Sequence, residues 1–105
     1  GDNIFVVKDG RISTPAPEAG MLHGITRRFV IDTVGPACGH PVEERMMRID
    51  EVLAADEVFL TGTAAEIIGV RQIDDTPISG GEVGPITRAL TAEFRRRVAA
   101  DAPED

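Results

Sequence analysis

The apolar positions of this chain fall into short runs punctuated by glycine, proline and acidic residues, a pattern that predicts brief strands interleaved with helices. Asn3-Ile4-Phe5-Val6-Val7-Lys8 reads as a strand, Asp9-Gly10 as a hairpin dipeptide, and Arg11 to Thr14 as the returning strand. After the two-proline loop Pro15 to Gly20, a helix is expected from about Thr26. Phe29, Val30 and Val34 form its apolar stripe, and Gly35-Pro36 is expected to end it. Ala37 to Pro41 reads as loop. Val42 to Met46 carries Glu43, Glu44 and Arg45, so it suits a short exposed or edge strand, and Asp50 suits the N-cap of a short helix Glu51 to Ala55.

The middle of the chain organises the rest. Glu57 to Leu60 reads as a buried strand, Thr61-Gly62-Thr63-Ala64-Ala65 as a loop of small and hydroxylated residues, and Ile67 to Ile73 as a second strand. Asp74-Asp75-Thr76-Pro77 is a turn cluster, and Gly80, Gly81 and Gly84 mark a mobile connection. Pro85 fits a first helical turn, after which Ile86, Leu90, Phe94 and Val98 repeat at i+4 on one face of a helix ending near Ala100. Arg95, Arg96 and Arg97 near its C-terminus suit the helix dipole and read as solvated. Residues 101–105 read as a flexible acidic tail. The order β-β-α-β-α-β-β-α predicts an α/β (α+β) fold.

Composition narrows the classes of function. At 105 residues the chain supports one modest core, and 42% hydrophobic with 28% charged residues is ordinary for a globular domain. A net charge of −7 argues against nucleic acid or an anionic membrane surface as the main partner. No apolar run is long enough for a membrane span, and the start carries no signal-peptide pattern. Cys38 is the only cysteine, so no intrachain disulfide forms and a reducing, cytoplasmic setting is expected. Lys8 is the only lysine. A chain that opens directly with a strand reads as one partial domain, residues 1–105, of something longer.

Two places offer anion chemistry. Gly24-Ile25-Thr26 opens a helix, and its free amides with the Thr26 hydroxyl form a dipole-favoured site, or Thr26 is simply a cap. Thr61 to Ala65 presents successive N–H groups and two hydroxyls, or it is a tight turn whose threonines serve the local backbone. Together the two could hold a phosphate and a carboxylate, and they are expected to lie close enough to share one phosphate-sized ligand. His23 and His40 lack partners at metal-ligand spacing, so no metal site is expected. Cys38 has no activating neighbours in sequence and reads as structural or incidental. Glu66 is a surface or packing carboxylate, or a base.

Asn3-Ile4-Phe5-Val6-Val7-Lys8-Asp9-Gly10, Leu22-His23-Gly24-Ile25-Thr26-Arg27, Ala55 to Glu66 and Gly84-Pro85-Ile86-Thr87 follow one another as in a known family. The chain resembles the second half of a branched-chain amino acid aminotransferase, of the class-IV, D-amino-acid-aminotransferase-like pyridoxal-phosphate enzymes. The Thr61-to-Glu66 piece is closer to those enzymes than to the D-amino-acid aminotransferases or aminodeoxychorismate lyases of the same fold. The resemblance implies part of that fold's larger C-terminal domain and a pyridoxal phosphate cofactor. It gives the cofactor phosphate to Gly24, Ile25, Thr26 and Thr63, a face of the pyridine ring to Leu22, and the substrate carboxylate to the Ala64 and Ala65 amides. It puts the Schiff-base lysine upstream of Gly1, and with it the first-half phosphate-binding arginine and the glutamate that pairs with the pyridine nitrogen. Asp2 stands where the family usually has glutamate, and Gly35 to Pro41 replaces a longer segment.

The expected function is therefore that of a C-terminal fragment of a transaminase acting between leucine, isoleucine or valine and 2-oxoglutarate. Lys8, at a hairpin end facing water, is not expected to serve as the missing nucleophile, so the chain alone is expected to be inactive. Other readings are a non-catalytic phosphometabolite-binding domain and one half of a split enzyme. The missing N-terminal half and further copies of the chain are the expected partners, covering sheet edges and apolar surface.

Overall fold

The computed structural model describes residues 3–16, 24–62 and 66–101. β1 (Asn3–Lys8) and β2 (Arg11–Thr14) form the expected hairpin, with Asp9 and Gly10 both at positive φ, as a two-residue turn requires. β3 (Val42–Glu44), β4 (Glu57–Thr61) and β5 (Ile67–Val70) complete a sheet of order β3-β2-β1-β4-β5. All its pairings are antiparallel except β2 with β3. β3 is an edge strand, consistent with its charged sequence. The fold is mixed α/β, as the pattern predicted.

Alternation along the central strands divides the core between two faces. On one face Phe5, Val7, Ile12, Phe59 and Ile67 meet Val30 and Val34 of the first helical segment and Leu90 and Phe94 of α4 (Pro85–Asp101). Phe5 and Phe59, paired across β1 and β4, stack with centroids 4.8 Å apart. On the other face Val6 and Val58 pack with Val52 of α3 (Ile49–Leu53) and with Ile78. Helix and sheet thus cover each other on both sides, which accounts for strands rich in consecutive apolar residues.

Five expectations need correction. Gly35-Pro36 does not end the first helix: α1 (Ile25–Phe29) passes into a π-helical stretch Val30–Val34 and then the turn α2 (Gly35–Ala37). The Gly35 N–H reaches back to Val30 O, and Pro36 falls in the first turn of α2, where its missing donor costs little. Asp50 is not the cap of α3. Arg48 holds that place, and Asp50 lies inside the first turn with its carboxylate on the Arg48 guanidinium.

The segment Ile67 to Ile73 is not one strand. β5 stops at Val70, and β6 (Gln72–Ile73) with β7 (Thr76–Pro77) folds into a separate ribbon closed by Ile78 N–H to Arg71 O. Ile73 and Ile78 join the second core cluster, so burying them is what turns the chain away from the sheet. The apolar row of α4 stops at Phe94 as a buried face, since Val98 is about half exposed. Asp101, read as the start of the tail, still belongs to α4; residues 102–105 lie outside the described part.

Candidate anion site at the start of the first helix

α1 begins from an extended Gly24 (φ −69°, ψ 133°), with no side chain capping it. The first helical bond is Arg28 N–H to Gly24 O at 3.0 Å, so the N–H groups of Ile25, Thr26 and Arg27 precede the ladder. Thr26 is buried, whereas the Ile25 side chain is almost fully exposed, leaving only its amide to work with. This is the dipole-positive arrangement that favours an anion.

Gly24 is pressed against β1. A β-carbon on it would stand 2.8 Å from Nδ2 of Asn3, so a larger residue could not sit there unless Asn3 moved. Asn3 in turn pairs in register with Thr61, the last residue of β4. The start of α1 and the end of β4, 37 residues apart in sequence, thus meet through one asparagine. Thr61, read from sequence as a loop residue offering its hydroxyl, instead ends β4, with Oγ1 buried and without a hydrogen-bond partner among the described residues. An orphaned buried hydroxyl is costly and calls for explanation at a functional place.

Of the residues read from sequence as site residues, Gly24, Ile25 and Thr26 lie at this helix start. Leu22, Thr63, Ala64 and Ala65 lie outside the described residues, as does His23. Lys8 is exposed at the end of β1, its Nζ donating to Ala54 O at 3.2 Å and facing Asp56 at 3.5 Å. Glu66 is exposed beside β5. Burial pushes the Cys38 thiol up, which makes it less reactive, and His40 Nδ1 meets Gly10 O at 2.9 Å.

Sequence reasoning missed two buried charges that build the surroundings. Arg27 is 2% exposed, and its Nη2 donates to Pro15 O and to Glu44 Oε2, both at 3.0 Å. Glu44 also accepts from Arg28, and the Arg27 hydrogen bond, followed by that of Arg28, holds its carboxyl below the usual range. This network anchors α1 to the edge strand β3. Its only sequence signal was the Arg-Arg pair after Thr26, which reads equally well as solvent-facing. The second is Glu57, 4% exposed, whose carboxylate accepts the Ile86 N–H at 3.1 Å and the Thr87 N–H at 2.7 Å. The missing clue lay at the other end: Gly84-Pro85 opens a long helix without a capping side chain of its own.

Among the described residues no group of three or more His, Cys, Asp or Glu is placed to hold a metal, and no helix is long and apolar enough to cross a membrane.

Comparison with known proteins gives a consistent picture. The model of the family "Amino-transferase class IV" matches residues 1–73. A probable branched-chain-amino-acid aminotransferase of Aquifex aeolicus is 49% identical over 90 residues, covering 86% of this chain and 29% of that protein. The crystal structure of a branched-chain aminotransferase from Thermoproteus uzoniensis with norvaline superposes with a TM-score of 0.85 at 40% identity, covering 97% of this chain and 33% of that one. The branched-chain amino acid aminotransferase of Thermobaculum terrenum in its PLP-form gives the same score and identity, covering 95% and 33%. The chain spans about a third of the length of these relatives.

Proposed function

Because the chain belongs to the class IV amino-transferase family, we propose that it is the C-terminal, cofactor-binding part of a branched-chain amino acid transaminase dependent on pyridoxal phosphate. The whole enzyme would move amino groups between leucine, isoleucine or valine and 2-oxoglutarate. The observation that carries this reading is the meeting of Gly24 with Asn3 opposite Thr61. What supports it is that the free amides of the helix start stand beside the end of β4, and such a helix start favours a phosphate dianion.

In this reading Ile25 and Thr26 give their amides, and Thr26 its hydroxyl, to the cofactor phosphate, with Thr63 as a further donor. Leu22 packs on one ring face, and the Ala64 and Ala65 amides receive the substrate carboxylate. Two anions held by separate donor groups fix both ends of the reacting assembly, which is the positioning half of catalysis. The bound cofactor supplies the electron sink. Moving the α-proton requires a base, and Lys8, exposed and turned to Asp56, is not placed for it. That role falls to residues of the remaining enzyme, as does most of the side-chain pocket. Exposed Met46, Ile49 and Ile68 offer apolar surface for that remainder or for a second copy to cover. The lone, free cysteine suits a cytoplasmic location.

The test is to mix the chain with pyridoxal phosphate, follow its phosphorus resonance, and map any borohydride-trapped adduct by mass spectrometry beside a leucine/2-oxoglutarate assay. Loose, reversible binding felt at the phosphate, without turnover, is expected. Stoichiometric labelling of Lys8 with measurable turnover would overturn the assignment.

A further inference from the structure

The ten arginines of this acidic chain are not used alike. Arg27 and Arg28 bind Glu44, Arg45 binds Glu51, Arg48 binds Asp50, and Arg96 and Arg97 share Glu93. Among the described residues, Arg11, Arg71, Arg88 and Arg95 have no carboxylate within ion-pair distance. Three of these four line one groove, of about 680 Å³, between β5 and α4. Arg88 and Arg95 stand seven residues apart on one exposed flank of α4, about 10 Å along the axis at 1.5 Å per residue. Arg71 leaves the end of β5 toward the same space.

The floor beneath them is apolar and closely fitted. A β-carbon on Gly69 would stand 2.7 Å from both Val83 methyls, so the glycine lets Val83 seat against the strand beside Ile67. The Thr91 hydroxyl already donates to Thr87 O, which leaves the guanidinium groups as the groove's side-chain donors to an anion. Glu82 is the single carboxylate on its wall, and no ion pair joins it to any of the three arginines among the described residues. The groove therefore carries a net charge of about +2 on a protein of −7. Three of the four unpaired arginines share this one concave surface and none of the six paired ones lines it, which has a ready physical reason in a bound anion, since planar guanidinium forks match phosphoryl oxygens.

We propose that this groove binds a small, multiply charged phosphate ligand, with Arg88 and Arg95 gripping adjacent phosphoryl groups and Arg71 closing the third side. The overall negative charge repels a long polyanion and leaves a compact one as the fitting guest. The site is independent of the helix-start cup and does not rest on the transaminase reading.

Titration of the 105-residue chain with inorganic triphosphate at physiological ionic strength, followed through backbone amide shifts, tests it directly. Saturable shifts confined to Gly69, Thr91, Ala92 and their neighbours are expected. The double variant Arg88→Ala with Arg95→Ala should bind at least about tenfold more weakly, two charge-assisted contacts being lost. Arg11→Ala with Arg48→Ala, which removes the same charge elsewhere, should stay within about twofold of the parent, as general screening predicts. All four residues are exposed, so folding should survive in both variants. Shifts that never saturate, equal loss in the two double variants, or equally tight binding of citrate would overturn the proposal.

Discussion

The buried carboxylate of Glu57 accepts the Thr87 N–H at 2.7 Å, which clamps the start of β4 to the start of α4. The acceptor comes from a strand 30 residues earlier in the chain, and it does the work that a capping serine or aspartate does in other helices. Glu57→Ala should cost about 2–3 kcal/mol in urea unfolding, because a buried and a part-buried helix donor lose their partner. Glu57→Gln, which keeps an acceptor and loses the charge, should cost about 1 kcal/mol.

Gly84 and Gly24 should separate stability from binding. A β-carbon on Gly84 would run into the Glu57 side chain, which two hydrogen bonds hold in place, so Gly84→Ala should destabilise by about 2 kcal/mol or more. At Gly24 the obstacle is the free end of Asn3, which can turn aside. Gly24→Ala should therefore unfold within about 1 kcal/mol of the parent. It should nonetheless weaken the response of the pyridoxal phosphate phosphorus signal, because Asn3 would be displaced from between the helix start and Thr61.

Acid should loosen the edge of the sheet. The Glu44 carboxyl is held below its ordinary value of 4.5, first by Arg27. A carboxylate with a depressed folded-state pKa contributes stability that is present above the ordinary value and lost as pH falls through the lower one. The urea midpoint should drop below about pH 4.5, and Glu44→Gln should flatten that part of the profile. The same geometry sets an order between variants. Glu44→Ala strands a guanidinium that is 2% exposed, so it should destabilise more than Arg27→Met, which removes the buried charge altogether.

Lys8→Ala should change little. Its ion pair with Asp56 joins two side chains that are each about half exposed, at 55% and 51%, a setting in which such pairs contribute under about 1 kcal/mol. Phosphate binding at the helix start should be unaffected, as measured by the same phosphorus titration.

What could be read from the chain was whatever its local chemistry dictates. β1, the Asp9-Gly10 turn, β2 and α4 announce themselves because run, turn dipeptide and i+4 repeat each lie within one element. Gly24 to Thr26 were legible for the same reason, as a glycine leading into an uncapped helix. The π-helical stretch was not, since Gly35 avoids contact with His40 O and Val42 through tertiary closeness that no local period encodes. Glu57, Arg27 and the break after Val70 were hidden likewise. Glu57 and Arg27 are settled by partners far away in sequence, Thr87 and Glu44, and the break by the burial of Ile78 against the other face of the sheet.

The pairing of β1 with β4 has a consequence for how the molecule comes into being. It joins residues 3–7 to residues 57–61, so the two strands at the centre of the sheet are separated by nearly half the chain. Such non-local closure is slow and belongs to the late, rate-limiting search, whereas the β1–β2 hairpin and α4 need only local contacts. Asn3 and Thr61 face each other only once that search succeeds, and so does the junction with Gly24. An anion seated at that junction has nothing to bind in the collapsed chain, so it should slow unfolding while leaving the folding rate unchanged.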